Sequence, residues 1–241
     1  MWIIPDWPAP KNVKAVSTIR KGGCSAAPYD GFNLGLHVGD NAEHVQRNRD
    51  FLQQKLELSL APAWLNQIHS NRVIDLEKPL SAVTDADGSY TQRSGLACAI
   101  MTADCLPVLL CDRAGTQVAA VHAGWRGLAG GIIDAALAKF SAPSSEIMAW
   151  LGPAIGPTAF EVGGEVREQF MAQDPNAEQA FVAYGDKWLA NLYLLATQRL
   201  QSYGVTQVYG GEHCTFNEPQ RFYSYRRDPV TGRQASLIWL D

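Results

Sequence analysis

Residues 101–131, MTADCLPVLLCDRAGTQVAAVHAGWRGLAGG, carry the strongest structural signal in the chain. Residues 106–111 form a short apolar run, residues 112–116 are typical of a turn, and residues 117–122 form a second apolar run. Short apolar runs that are bounded by turn residues predict buried strands. We therefore predict a β-hairpin at the centre of the fold.

The predicted hairpin brings a thiol and an imidazole together at one end, because Cys105 precedes its first strand and His122 ends its second. Both residue types are also common in ordinary cores. Two features favour a functional site. Asp104 adjoins Cys105 although only 18% of the residues are charged, and the turn at residues 122–127 combines a cation, an indole and two glycines.

The bulk composition excludes several classes of protein. The 241 residues are 46% hydrophobic, so they can bury a substantial core, and a net charge of -4 argues against a nucleic-acid partner. No apolar run approaches the ~20 residues that span a bilayer. The first residues, MWIIPDWP, lack the features of a secretory signal. We therefore expect a cytoplasmic protein with no membrane association.

The five cysteines are an odd number and form no CxxC pair, so we expect free thiols of a reducing compartment, most of them small core residues. They are Cys24, Cys98, Cys105, Cys111 and Cys214.

The predicted elements alternate irregularly between strands and helices. Besides the hairpin, strands are predicted over residues 13–19, 64–73, 96–101, 147–151, 206–209, 222–225 and 235–240. Helices are predicted from a cap at Asn41 to residue 56, and over residues 128–140, 162–171 and 188–203. Several strands are joined by turns too short for a helical crossover. This pattern predicts an α+β fold with mixed sheets, in a single domain over residues 1–241.

A third candidate, His69, completes a set of ligands. Two histidines and one cysteine match a catalytic zinc site, which has three protein ligands and one open position. The spacing of His69, Cys105 and His122 matches no local zinc motif, so the pattern also permits a metal-free hydrolase with Cys105 as nucleophile and His122 as base.

The turn after the hairpin has two interpretations. Gly124, Arg126 and Gly127 follow a strand and precede a predicted helix, a context that suits a bound anion. The spacing matches neither the Walker sequence nor the dinucleotide fingerprint, and a tight packing turn explains the glycines equally well. Four carboxylates are candidates for proton transfer: Asp85, Asp87, Asp104 and Glu161. We also predict that Glu161, like the three turn residues, binds substrate.

Five strings together resemble one family over the whole chain. They are NQIHS at 66–70, MTADCLPV at 101–108, VHAGWRG at 121–127, GPAIGP at 152–157 and FYSYRRD at 222–228. On these motifs the chain is identified as a member of the YfiH family, also called laccase-domain or polyphenol oxidase proteins and multifunctional purine nucleoside phosphorylases. The likeness is strongest to the enterobacterial type.

The resemblance implies a four-layer α/β/β/α fold and a zinc site at His69, Cys105 and His122. It implies phosphorolysis of adenosine, inosine and methylthioadenosine, deamination of adenosine, and a copper-dependent oxidase activity. It also implies an alternative, because enterobacterial members are described as peptidoglycan editing factors that act on UDP-muramoyl precursors carrying a wrong amino acid.

The histidine count helps to choose among these activities. A multicopper oxidase draws most ligands of its several coppers from imidazole, and five histidines are too few. Copper could still displace zinc at the same site, because it binds nitrogen and sulfur ligands more tightly. We therefore predict a zinc-dependent enzyme of small purine nucleosides, with the editing hydrolase and the metal-free Cys–His hydrolase as alternatives.

Overall fold

A computed structural model describes residues 2–241. This part of the chain contains thirteen strands: β1 (Trp2–Ile3), β2 (Val13–Thr18), β3 (Val73–Asp75), β4 (Gly88–Thr91), β5 (Cys98–Thr102), β6 (Leu106–Asp112), β7 (Val118–Ala123), β8 (Ile147–Leu151), β9 (Glu161–Val162), β10 (Phe181–Tyr184), β11 (Lys187–Ala190), β12 (Gln207–Gly210) and β13 (Gln234–Leu240). It contains five α-helices: α1 (Ala42–Lys55), α2 (Trp125–Ala129), α3 (Ile132–Leu137), α4 (Gly164–Met171) and α5 (Leu192–Ser202).

The strands form two large sheets and one small sheet. The first sheet has the order β12-β8-β6-β7-β4-β3 and is mixed, because β12 pairs with β8 and β3 with β4 in parallel. The second sheet has the order β1-β2-β13-β5 and is antiparallel. The small sheet is β10-β11-β9.

The alternation of side chains along β6 shows how the layers stack. Val108 and Leu110 pack with helices α2 to α5 on one face of the first sheet. Leu109 and Cys111 pack on the other face, against residues of β2, β5 and β13. The far face of the second sheet packs on Leu52 of α1. Successive residues of a strand point to opposite faces, so the order of layers is helices, sheet, sheet, helix. The predicted four-layer α+β fold with mixed sheets is confirmed.

The predicted hairpin is confirmed as β6 and β7. The two strands are antiparallel, with Leu106 opposite Ala123 and Pro107 opposite His122. This register places Cys105 at the same end of the sheet as His122.

Two predicted strands are wrong because side chains replace strand partners there. Residues 64–73 form a loop with His69 in the left-handed region (φ 60°), and only Val73 belongs to a strand. Residues 222–225 are also a loop. Tyr223 donates its backbone N–H to Gln234 Oε1, and Gln234 Nε2 donates to the Tyr223 carbonyl, so one amide side chain satisfies this buried backbone.

Three of the predicted helices have different bounds in the structure. The predicted helix over 128–140 is split into α2 and α3, because Gly131 adopts φ +87° between them. The predicted helix over 188–203 is a strand at its start, and α5 begins after Asn191, whose side chain accepts a hydrogen bond from the Leu194 N–H. The predicted helix over 162–171 begins only at Gly164. The cap of α1 at Asn41 is confirmed.

Strand β4 has no counterpart among the predictions. Its sequence, GSYT, shows no apolar alternation, although all four residues are buried. The strand pairs with β7 and follows directly after Asp87. Among residues 2–241, none of the helices combines the length and the apolar character needed to cross a membrane.

Candidate metal centre

The three candidate ligands meet at the end of the layer between the two large sheets. His122 lies on the same face of β7 as Val118 and Ala120, which pack in that layer. Cys105 precedes β6, and His69 lies in the loop before β3. Their ligand atoms all lie within 4.8 Å of one another. Cys105 Sγ is 3.9 Å from His69 Nε2, and the two imidazole ring centroids are 4.8 Å apart.

One buried carboxylate, Asp87, connects the two histidines. Its Oδ1 is 2.8 Å from His122 Nδ1 and accepts the His69 backbone N–H at 2.9 Å. Its Oδ2 accepts the backbone N–H of Ser70 at 2.6 Å and the Ser70 hydroxyl at 2.7 Å. With Nδ1 of His122 donating to Asp87, the Nε2 lone pair is free to bind a ligand. The same carboxylate holds the His69 loop in position.

The electrostatics of the site favour a thiolate. Burial raises the pKa of Cys105, but the charge of His122 and hydrogen bonds with His122 and His69 outweigh burial and bring this pKa to about 6. The pKa of His122 is lowered by burial but raised further by Cys105 and Asp87, so the net direction is upward. Burial also raises the pKa of Asp87, yet hydrogen bonds from His122 and Ser70 bring it to about 2. A deprotonated thiol is the form that binds a metal.

Two residues beside the ligands have unusual backbone conformations. His69 has φ 60° and Asp104 has φ 93°, where residues other than glycine are uncommon. The Asp104 carboxylate accepts the Thr215 hydroxyl at 2.6 Å and the Arg226 backbone N–H at 2.7 Å. These contacts fix the turn that presents Cys105. Asp104 as a proton-transfer group stays a prediction.

The glycine-rich turn approaches the centre through its backbone. A Cβ on Gly124 would lie 2.9 Å from Cys105 Sγ and 3.2 Å from His69 Cδ2. A Cβ on Gly127 would lie 3.1 Å from the Ser70 carbonyl oxygen. These glycines therefore allow the close approach of α2 to the ligands.

The two other predicted substrate-binding residues contact side chains that do not belong to the ligand set. Arg126 is exposed, and its guanidinium carbon is 4.4 Å from the centroid of the Trp125 ring. Glu161 lies in β9 of the small sheet, where its Oε1 accepts a hydrogen bond from Lys187 Nζ at 2.6 Å. Their roles in substrate binding stay predictions.

The chemistry of the donor set fits zinc. Two imidazoles and a thiolate supply the three ligands of a catalytic zinc site, and Asp87 supplies the carboxylate that commonly orients a ligating histidine. In residues 2–241 this is the one group of three or more metal-ligating side chains that converges in this way. The arrangement is that of a single metal ion rather than a cluster.

The family model and the relatives that match this chain each cover nearly its full length. Residues 14–241 match the family model described as multi-copper polyphenol oxidoreductase laccase. The chain is 55% identical over 238 residues to the purine nucleoside phosphorylase YfiH of Escherichia coli, covering 99% of this chain and 98% of that protein. The chain belongs to the YfiH family. Another relative, the purine nucleoside phosphorylase of Haemophilus influenzae, is 51% identical over 243 residues, covering 99% of each protein.

Solved structures show the same fold in other bacteria. The crystal structure of Neisseria meningitidis protein NMB0706 matches with a TM-score of 0.97 and 54% identity, covering 100% of this chain and 99% of that chain. YlmD of Geobacillus stearothermophilus matches with a TM-score of 0.93 and 29% identity, covering 99% and 96%. The predicted membership of the YfiH family is confirmed.

In the sequence, Asp87 stands out only as one of four acidic candidates. Its position gives a stronger signal: it directly precedes a strand that pairs with β7, so its backbone carbonyl accepts the His122 N–H at 2.7 Å. That signal depends on recognising β4, which the apolar pattern does not reveal.

Proposed function

We propose that this protein is a zinc-dependent purine nucleoside phosphorylase whose metal is held by His69, Cys105 and His122. One observation carries the proposal: these three residues converge, with their ligand atoms within 4.8 Å, in a chain 55% identical to a relative named purine nucleoside phosphorylase. The substrates would be inosine, adenosine and methylthioadenosine, together with phosphate.

The reaction exchanges one bond at the sugar for another. A phosphate oxygen forms a bond to C1′ of the ribose, while the C1′–N9 bond breaks and its electron pair leaves with the purine. The purine takes up a proton and leaves as the free base, and the sugar product is ribose 1-phosphate, or 5-methylthioribose 1-phosphate when the substrate is methylthioadenosine. Bringing the phosphate and the nucleoside together in one site removes much of the entropic barrier.

The residues of this chain prepare the centre for that reaction. Asp87 orients His122 through Nδ1 and fixes the backbone of His69. The low pKa of Cys105 keeps its sulfur anionic at neutral pH. A zinc ion bound by these residues would supply a Lewis acid with an open position for a substrate oxygen or water.

We extend the proposal to two secondary activities. Deamination of adenosine needs water rather than phosphate, and the same zinc site suits it because zinc promotes hydrolytic attack at neutral pH. Copper bound to the same nitrogen and sulfur ligands would account for a weak polyphenol oxidase activity. A multicopper mechanism is disfavoured, because one mononuclear set of ligands converges among residues 2–241.

Purified protein tests the proposal directly. We expect hypoxanthine release from inosine only when phosphate is present, and about one zinc per chain by elemental analysis. Cys105→Ser and His122→Ala should both lose zinc and activity, whereas Cys24→Ser, which changes an exposed cysteine, should keep both. Full zinc occupancy in both ligand variants would contradict the assignment. Turnover of UDP-muramoyl precursors without any turnover of nucleosides would favour the editing hydrolase.

A second candidate function follows from the hydrogen bonds of His122. Asp87, His122 and Cys105 are arranged as a carboxylate, an imidazole and a low-pKa thiol, which is the order of a cysteine hydrolase. In that case Cys105 would attack a carbonyl carbon without a metal. Activity that survives complete removal of metal by a chelator would favour this candidate, and loss of activity that zinc restores would exclude it.

A further inference from the structure

Two half-buried arginines near the metal centre have no carboxylate partner. Arg49, on α1, donates from Nε and Nη2 to the Leu34 carbonyl oxygen at 2.9 and 2.7 Å. Its guanidinium carbon lies 4.3 Å from the centroid of the Trp64 ring. Arg233, just before β13, donates from Nη1 to the carbonyl oxygens of Thr231 and Gly232 at 3.1 and 2.9 Å. Within residues 2–241, neither arginine forms an ion pair.

The two arginines converge on one loop. The carbonyl that Arg49 binds belongs to Leu34, whose own backbone N–H donates to the Arg233 carbonyl at 3.1 Å. The Arg233 side chain packs over Gly35 so closely that a Cβ there would lie 2.8 Å from Arg233 Cγ. The loop at residues 34–37 therefore accepts hydrogen bonds from the Arg49 guanidinium and packs against the stem of Arg233, at the end of the second sheet where β13 begins.

Hydrogen bonds and strand register connect this end of the second sheet to the metal ligands. Arg49 Nη2 is 3.6 Å from Met101 Sδ, and the Met101 backbone exchanges hydrogen bonds of 2.7 and 2.8 Å with the side chain of Gln67. Gln67 is two residues before His69. On the other side, Gln234, which follows Arg233, pairs with Thr102, three residues before Cys105.

The charges of the arginines and of the metal ligands act on each other. Burial lowers the pKa of Arg49 to about 10, and burial also lowers the pKa of Arg233, which the charges of Cys105 and Asp104 partly oppose. His37 lies on the shared loop, and its pKa is lowered first by burial and then by the charges of Arg233, Arg49 and His122. The positive charges of Arg49, Arg233 and His122 therefore all act on the same side chain, His37.

A cation that is removed from water without a partner costs free energy, and such cations concentrate at functional sites. The nearby Asp104 does not serve as the partner, because its carboxylate accepts hydrogen bonds from Thr215 and Arg226. In the described part of the chain, Nη1 of Arg49 and Nε and Nη2 of Arg233 donate no hydrogen bond to the protein. Guanidinium groups are the preferred donors to phosphate oxygens.

We propose that Arg49 and Arg233 form the binding site for the inorganic phosphate that the proposed phosphorolysis consumes. This inference rests on the proposed function and refines it. It places the phosphate beside the loop at residues 34–37 and the start of β13, rather than at the turn of Gly124, Arg126 and Gly127. The side chain of Arg126 is exposed to water, whereas Arg49 and Arg233 are half-buried, so the unpartnered donors of these two arginines are less well solvated.

Kinetics of four glutamine variants test the site. Arg49→Gln and Arg233→Gln should each raise the KM for phosphate in inosine phosphorolysis by about 10-fold or more, because each removes a charge-assisted donor. The KM for inosine should change by less than about 2-fold, and the zinc content should not change. Arg47→Gln is the matched control, because Arg47 lies on the same helix but is exposed and pairs with Glu43 at 4.0 Å. A rise in the KM for phosphate in Arg126→Gln, with none in the first two variants, would overturn the proposal.

Chemical modification of the unaltered protein gives a readout that needs neither variants nor activity. Phenylglyoxal should label Arg49 and Arg233, and 10 mM inorganic phosphate, on the order of a saturating concentration for a weak site, should slow both reactions. The labelling of Arg47 and Arg126, read by mass spectrometry in the same sample, should not change. Equal labelling with and without phosphate would overturn the site, as would protection by UDP alone. If the protein shows no phosphorolysis but phosphate still protects these arginines, the proposed function fails while the anion site stands.

Discussion

Three cysteines lie in or next to the layer between the two large sheets, and the pKa values of their thiols differ sharply. Cys98 and Cys111 are fully buried among apolar side chains, and burial raises the pKa of each to about 12, with the charge of Asp112 contributing at Cys111. Cys105 lies at the end of the same layer beside two imidazoles, and its pKa is about 6. The neighbouring groups, rather than the residue type or the layer, decide whether a thiol packs or reacts.

The largest expected effect separates these cysteines by activity. Cys105→Ala removes a proposed metal ligand, so kcat/KM for inosine should fall by about 100-fold or more. Cys98→Ala and Cys111→Ala should keep kcat/KM within about 3-fold and lose about 1 kcal/mol of unfolding free energy, because they only remove packing. Steady-state kinetics and urea unfolding measure the two quantities. Comparable losses of activity in all three variants would break the distinction.

Alkylation sharpens the same comparison. With zinc bound, Cys105 should react slowly with iodoacetamide, and chelation should accelerate its labelling by about 10-fold or more, because the thiolate is then free. Cys98 and Cys111 should stay unlabelled in the folded protein under both conditions. Mass spectrometry of the three peptides reads the rates. Rapid labelling of Cys105 in metal-replete, active protein would favour a cysteine nucleophile.

A smaller effect is expected from the carboxylate behind the ligands. Asp87→Asn should weaken zinc binding by about 10- to 100-fold, because the amide cannot hold His122 and the His69 loop in the same way. Competition with a chromogenic chelator measures the dissociation constant. Asp75→Asn is the control, since Asp75 carries a surface ion pair with Lys139. Unchanged zinc affinity in Asp87→Asn would show that the Asp87 carboxylate is not needed to orient the imidazoles of His69 and His122.

The smallest effect concerns the space beside the sulfur. Gly124→Ala adds a methyl group 2.9 Å from Cys105 Sγ, so we expect zinc affinity to fall by about 3- to 10-fold as the ligands shift. Gly164→Ala, at the start of α4, meets nothing within 4 Å and should leave zinc affinity unaltered. The same chelator competition applies. Equal zinc affinities in the two variants would mean that the backbone at Gly124 can shift to make room for the methyl group without moving the ligands.

The parts of the fold that the sequence predicted well are those with apolar periodicity. The hairpin of β6 and β7 was clear because both strands are apolar on both faces, and this alone places Cys105 beside His122. The helix α1 was clear from its Asn41 cap and its apolar side. The choice of ligands came from residue types and from the family resemblance, since their spacing matches no local motif.

The parts that could not be predicted depend on long-range side-chain contacts. The loop of His69 is fixed by Asp87, eighteen positions away in sequence. The loop at Tyr223 is satisfied by Gln234 rather than by a strand. Arg49 and Arg233 come from opposite ends of the chain, and only the folded sheet brings them to one loop.

The position of β13 has a consequence for the order of folding. This strand pairs with β2 on one side and β5 on the other, so its residues 234–240 fill the middle of the second sheet. Until that segment has been synthesised, β2 and β5 have open edges, which invite pairing with other chains. Such contacts between distant segments also slow folding. A ribosome-bound chain that stops before residue 234 should therefore resemble an aggregation-prone intermediate, and the turn that presents Cys105 should become protected from hydrogen exchange among the last parts of the molecule.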